Sequence, residues 1–263
     1  MEKPQIKFGP AGLGSVKTAE KILEEYAQKG IKACEIAFTY GVYIKTREEA
    51  IRIGNKAKEL GIQLSIHAPY FVNLNSAEKE KIEKSKKRIM SCCKTGTLLG
   101  ASHVIFHPGY YGKSTKEQTY EVIKEQIKDM QKTIQEERYT TKLAPETMGK
   151  INVFGSIEEI SSLVKDTDCS FCIDFAHILA REGKINIKKI KEKFPQKNWH
   201  CHFSGIVYGE KGEKHHKITE KQEWKDLLKD LEKQTPKKEL TIINESPSPV
   251  EDAVKGINEY NSI

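Results

Sequence analysis

The chain has no apolar run near the ~20 residues that cross a bilayer, which excludes a helical membrane span. Its start, Met1-Glu-Lys-Pro-Gln-Ile-Lys, carries no apolar signal region. The expectation is therefore a cytoplasmic protein, nucleoid-associated if the source is prokaryotic. Cysteine is scarce, and Cys34, Cys92, Cys93, Cys169, Cys172 and Cys201 show no disulfide-framework spacing. Most lie in apolar segments and read as reduced core thiols. No Gly-rich dinucleotide fingerprint follows the first strand-like segment, which weighs against an open nucleotide-binding sheet. No internal repeat and no linker divides the chain, since Thr235-Pro-Lys-Lys-Glu is too short to separate domains.

What is present is a strict alternation. Strand-like segments fall at 5–8, 33–38, 63–67, 103–107, 142–146, 171–174, 199–203 and 239–245. Helix-like segments fill the gaps at 18–29, 46–60, 77–99, 116–137, 157–165, 187–194, 220–233 and 249–260. Thr46-x-x-Glu49, Thr115-x-x-Gln118, Ser156-x-x-Glu159, Thr219-x-x-Gln222 and Ser248-x-x-Glu251 fit the capping box, in which hydroxyl and carboxylate or amide satisfy each other's backbone N–H. Pro249 suits a first helical position. Gly30, Gly61 and Gly100 suit left-handed stops. Alternating β and α units predict a parallel sheet. With 263 residues against ~250 for the fold, they predict one domain over 1–263, a single (β/α)8 TIM barrel.

Nearly every strand candidate ends in a hard polar residue. The candidate metal ligands are His67, His107, Glu146, Asp174, His177, His202, Glu213, His215 and Glu245. Polar groups at the ends of successive strands are how such a barrel builds a site at its C-terminal mouth. Five imidazoles and four carboxylates exceed the roughly four ligands of one zinc and suit two or three ions. Asp174 and His177, three apart, point into the same mouth if a helical turn follows the strand. His200 shares the face of His202 by two-residue alternation, and the residue nearer the strand end is the preferred ligand. His216 is left out. Imidazole and carboxylate without thiolate suit Zn²⁺, with Mn²⁺ or Fe²⁺ as substitutes. Three divalent ions against four carboxylates leave a net positive cluster, which suits a phosphodiester.

Net charge is +7 with a pI near 8.9. That balance is compatible with a polyanionic partner, although lysine runs such as Glu78-Lys-Glu-Lys-Ile-Glu-Lys also read as solvated helix faces.

Taken in order, Ser-Ile-His67-Ala-Pro-Tyr-Phe-Val-Asn-Leu, Phe-His107-Pro-Gly, Pro-Glu146-Thr, Cys-Ile-Asp174-Phe-Ala-His177, His202-Phe-Ser, Gly-Glu213-Lys-His215-His and Asn-Glu245-Ser-Pro resemble the endonuclease IV family, over about residues 6–255. These are zinc-dependent apurinic/apyrimidinic endonucleases on a (β/α)8 barrel. The resemblance implies one zinc on His67, His107 and Glu146, a second on Glu146, Asp174, His202 and Glu245, and a third on His177, Glu213 and His215. It implies a catalytic role for Glu146, which bridges two ions and positions the attacking hydroxide, and for Asp174 and Glu245. The reaction would be hydrolysis of the phosphodiester 5′ to an abasic site in duplex DNA, leaving a 3′-hydroxyl and a 5′-deoxyribose phosphate, with trimming of blocked 3′ ends. Tyr70, Phe71 and Asn73 fall on the damage-sensing wedge, with Phe71 either stacking on bases or packing under its loop.

Three features depart from the family. Glu213 replaces an Asp, the Lys-Phe-Gly-Pro-Ala-Gly start lacks a His, and the loop after the second strand has no DNA-inserting Arg. Tyr40 or Tyr43 are the substitutes there. The competing reading is a single-metal sugar isomerase or epimerase of the xylose-isomerase-like barrels, which needs only Glu146, Asp174, His202 and Glu245. A DNA-binding protein without catalysis is a third reading, and the full ligand set weighs against it. A monomer is expected, because DNA must reach an open mouth.

Overall fold

The computed structural model describes residues 3–263. Eight barrel strands run β1 (Gln5–Pro10), β2 (Ala33–Ala37), β3 (Gln63–His67), β4 (His103–Phe106), β5 (Lys142–Pro145), β6 (Cys172–Asp174), β7 (Asn198–Phe203) and β8 (Glu239–Asn244). The helices are α1 (Ala19–Gln28), α2 (Arg47–Glu59), α3 (Lys79–Leu99), α4 (Lys116–Glu136), α5 (Ile157–Thr167), α6 (Phe175–Glu182), α7 (Ile187–Lys193), α8 (Lys221–Gln234) and α9 (Pro249–Asn261).

The strands form two four-stranded parallel sheets, ordered β1-β8-β7-β6 and β2-β3-β4-β5. Single parallel bridges, Ala11↔Glu35 and Glu146↔Cys172, join their edges. The strands therefore follow one another in cyclic order, with the ladder interrupted at two seams. All of them are parallel, as the βα alternation requires.

Outward-facing side chains such as Phe8, Ile36, Leu64, Val104, Phe106, Trp199 and Ile242 join the helices in one core layer. The barrel interior is different. Branched aliphatic residues dominate the usual interior, but here Ile105, Ala144 and Cys172 make a small separate apolar cluster. Beside it, Glu35, Ser65 and His200 meet across β2, β3 and β7.

Thr46, Thr115 and Ser156 make the expected capping boxes. Thr219 does not: it is buried, its hydroxyl takes up Gly205 N and Asn244 Nδ2, and α8 starts after Glu220, whose N–H meets Glu223. Ser248 precedes α9 without a side-chain cap, although Pro249 takes the first position as expected. Periodicity also missed α6, which begins with no loop after β6, and the hairpin Gly205–Gly209/Gly212–Lys217.

The β1–β2 seam is set by Gly9. A Cβ there would lie 1.9 Å from the Ala33 carbonyl oxygen, far inside contact distance. Gly9→Ala must part the strands where one bridge holds them, so a loss of about 2 kcal/mol or more is expected from overpacking. Urea unfolding checks this, and an unchanged midpoint would contradict it.

Candidate metal centre

The ends of β3 to β8 converge on one carboxylate. Glu146, fully buried just beyond β5, has Oε2 3.2 Å from both His67 Nε2 and His107 Nε2. Its Oε1 lies 3.2 Å from His177 Nδ1 and from His202 Nδ1. His202 Nδ1 also lies 3.3 Å from Glu245 Oε2 and 4.0 Å from Asp174 Oδ2. Asp174 does two jobs at the β6–α6 junction. Its Oδ1 accepts the His177 backbone N–H at 2.7 Å, capping α6, and that turn swings the His177 ring into the mouth. Two ligand sets result, His67-His107-Glu146 and Glu146-Asp174-His202-Glu245, each with donor atoms within 4.8 Å of one another.

A third set comprises His177, Glu213 and His216. His177 Nε2 is 3.4 Å from Glu213 Oε2, and the His177 and His216 rings are 5.4 Å apart. This corrects the expectation for His215, which points to solvent. The cause is a β-bulge. Across the hairpin, Val207 pairs with His215 and Tyr208 with Glu213, so Lys214 is the extra residue. A bulge reverses the two-residue alternation beyond it, putting His216 on the side of Glu213. Gly212 and Gly149 let the hairpin dock, since a Cβ on Gly212 would lie 2.1 Å from Gly149 O. Arg181 fastens the receiving loop by donating to the carbonyls of Met148, Lys150 and Val153.

The donor chemistry fits divalent ions. Asp174 Oδ2 is a buried carboxylate oxygen without a hydrogen-bond partner. Two ring nitrogens are directed toward the site by backbone contacts on the other nitrogen: His67 Nδ1 meets Ala68 O at 2.8 Å and His177 Nδ1 meets Thr147 O at 3.0 Å. Such outer contacts fix ligating imidazoles.

Burial opposes charge throughout, and neighbours decide the outcome. Burial pulls His67 down, but Glu146 pushes it up to about 9. His177 is likewise raised to about 10, by Asp174 and Glu146. Burial raises Asp174 to about 6. Burial also works to raise Glu146, yet His202, His107 and His177 hold it well below the carboxylate range.

Two functional candidates escaped the sequence reading. Glu35 is a buried acid in the middle of β2, and His216 is hidden by the bulge. A charged residue inside an apolar strand was the available signal for Glu35. At the rim, Tyr70 stands beside the rings of His67 and His107, at 5.4 and 5.6 Å. Phe71 is half exposed under the Arg88 guanidinium, 4.7 Å from its centroid. Tyr40 is 91% exposed. One wedge candidate, Asn73, and one candidate for the missing Arg, Tyr43, contact the protein itself. Asn73 Oδ1 accepts the N–H groups of Asn75 and Tyr110, fastening the loop. Tyr43 packs edge-on against Phe38 at 5.1 Å, because the chain turns back to start α2.

These proton affinities set a pH dependence. His67 and His177 bind protons more tightly folded than at their ordinary 6.5. Their contribution is fully present below about 6.5 and is lost as pH rises through 9 to 10. The metal-free protein is therefore expected to lose thermal stability over that range, and zinc loading, which displaces the same protons, should release protons and restore it. Calorimetry with and without zinc tests this. A pH-independent Tm without metal would contradict it.

Against known proteins, the sequence profile described as "Xylose isomerase-like TIM barrel" matches residues 23–261. The uncharacterized protein MJ0133 of Methanocaldococcus jannaschii is 36% identical, covering 97% of each chain. A probable endonuclease 4 of Aquifex aeolicus is 26% identical over 83% of each. Among solved structures, endonuclease IV from Thermus thermophilus aligns with a TM-score of 0.65 at 21% identity over 98% of each chain. D-psicose 3-epimerase from Clostridium cellulolyticum aligns at 0.69 and 15% identity, over 98% of this chain and 99% of that one. At such identities the structures share the fold, and the same fold hosts both nuclease and epimerase. The chain belongs to the xylose isomerase-like TIM barrel family and, within it, is a relative of proteins called endonuclease 4.

Proposed function

We propose that this protein is a metal-dependent DNA repair endonuclease that hydrolyses the phosphodiester bond 5′ to an abasic site in duplex DNA, leaving a 3′-hydroxyl and a 5′-deoxyribose phosphate, and that trims blocked 3′ ends. The observation that carries this reading is the extent of the ligand field. One ion in the manner of a sugar epimerase needs Glu146, Asp174, His202 and Glu245. The chain adds His67 and His107 on one side of Glu146 and the group His177-Glu213-His216 on the other. Three zinc ions, with Mn²⁺ or Fe²⁺ as substitutes, suit these donors. Such ions supply charge neutralisation at a phosphodiester and acidify water. Glu146 sits between the two sets that share it and holds them in register. Asp174 and Glu245 close the second set. An ion held by His177, Glu213 and His216 would place positive charge on the hairpin side of Glu146.

The rim supports a nucleic-acid partner. Among the described residues, the exposed large apolar side chains are Tyr40, Tyr70, Phe71, Tyr110, Ile151, Tyr208 and Ile218. All lie beyond the C-terminal ends of the barrel strands, in loops or in the short strands that those loops carry, as Tyr110 and Tyr208 do. Exposed lysines 45, 113, 150, 211 and 214 share those loops. Faces for stacking bases and cations for phosphates are the two components of a single-strand or distorted-duplex grip. A monomer leaves this mouth open.

Elemental analysis beside a gel assay on a duplex carrying a tetrahydrofuran abasic analogue tests the reading. Near three metal ions and incision 5′ to the lesion are expected. A fully metallated protein that leaves the duplex intact and epimerises a ketose would replace it with the single-metal reading. Glu146→Ala should lower incision by more than about 10²-fold, beyond the loss of a single transition-state donor, and near-normal rates would contradict the assignment. Phe71→Ala should cost about 1–3 kcal/mol of preference for damaged over intact duplex, the scale of one stacking contact, at unchanged metal content. Unaltered preference would leave Phe71 as packing.

A further inference from the structure

Glu35 is a buried carboxylate in a barrel interior, where an acid costs several kcal/mol unless its charge is answered. It lies below the ligand sets and belongs to none of them. Its Oε2 accepts the Ser65 hydroxyl at 2.8 Å and pairs with His200 Nε2 at 3.0 Å. Its Oε1 stands 3.0 Å from His202 Nε2. These last two atoms are both buried, and neither has any other hydrogen-bond partner. The other nitrogen of His202, Nδ1, faces Glu146 and Glu245.

We propose that Glu35 is a positioning residue for the metal ligand His202: it accepts the Nε2–H and thereby commits Nδ1 to the metal centre. The inference rests on the metal-centre reading above. It follows the physical rule that a ligating imidazole gives its second N–H to an outer acceptor, which fixes tautomer and ring orientation. For His67 and His177 a backbone carbonyl serves. For His202 the acceptor is an ionised side chain, held from behind by Ser65 and His200. This explains why an acid stands in β2. It also accounts for the grouping of Cys172, His200 and His202. Glu35 faces Nε2 of both imidazoles, so that group is the support of the centre and not a further metal site.

The test uses the full chain loaded with zinc, and no DNA. Long-range ¹H–¹⁵N NMR correlation on His202 is expected to show Nδ1 metal-bound and Nε2 protonated. Metal on Nε2 would overturn the proposal, as would a thiolate-to-metal charge-transfer band on cobalt substitution that disappears in Cys172→Ser. Glu35→Gln should weaken zinc at the Glu146-Asp174-His202-Glu245 set by about 10- to 100-fold, while His200→Gln, which keeps the Glu35–His202 contact, shifts it by less than about threefold. Equal affinities for wild type and Glu35→Gln would overturn it. The NMR assignment is made on the wild-type chain, so it stands even if Glu35→Gln misfolds. A protein that shows this nitrogen assignment but does not incise abasic DNA supports the role of Glu35 and removes only the nuclease reading.

Discussion

Glu146 is the group on which the rest of the site depends. It is fully buried and stands 3.2 Å from nitrogens of His67, His107, His177 and His202. An isolated carboxylate there would be untenable. Surrounded by imidazoles it stays ionised, and it draws side chains from β3, β4, β7 and α6 to one point. The fold serves this convergence: parallel strands end at one mouth, and the ends of β3 to β8 each bring one of these side chains to it.

The same crowding makes protons and metal ions alternatives. Without metal, the acids hold His67 and His177 in their charged forms by raising their proton affinity. A divalent ion bound there would take over that task and displace the protons. Asp174 Oδ2, buried with no hydrogen-bond partner, marks a valence that protein groups leave unmet. The arrangement is therefore strained toward metal in its electrostatics while its backbone is ordinary.

Below the mouth, the barrel departs from a purely aliphatic filling. The apolar plug is small, and the Glu35-Ser65-His200 cluster occupies the space beside it. Polar filling in a closed interior specifies orientation at the cost of stability. Here the group being oriented is His202. The seams at Ala11↔Glu35 and Glu146↔Cys172 flank this cluster and the site, so two fully buried acids sit where the ladder is thinnest.

The eight strands and every helix but α6 were legible because burying one face imposes a period on the residues, and because hydroxyl caps and glycine stops are local chemistry. His67, His107, Glu146, Asp174, His202 and Glu245 were legible as candidates because a hard residue closing an apolar run is a one-dimensional signal, whereas His177 rested on its three-residue spacing from Asp174 and Glu213 on the family resemblance. The bulge at Lys214 was not, because a shift in pairing depends on the partner strand, and so His216 faces the centre where His215 was expected. Nor was the fate of Thr219, Asn73 or Tyr43, whose partners are remote in sequence. Sequence alone determined the order in which the barrel presents its polar strand ends. Tertiary structure decided which of them meet, since register across strands and the contact of Glu35 with His202 exist only when distant segments are brought side by side.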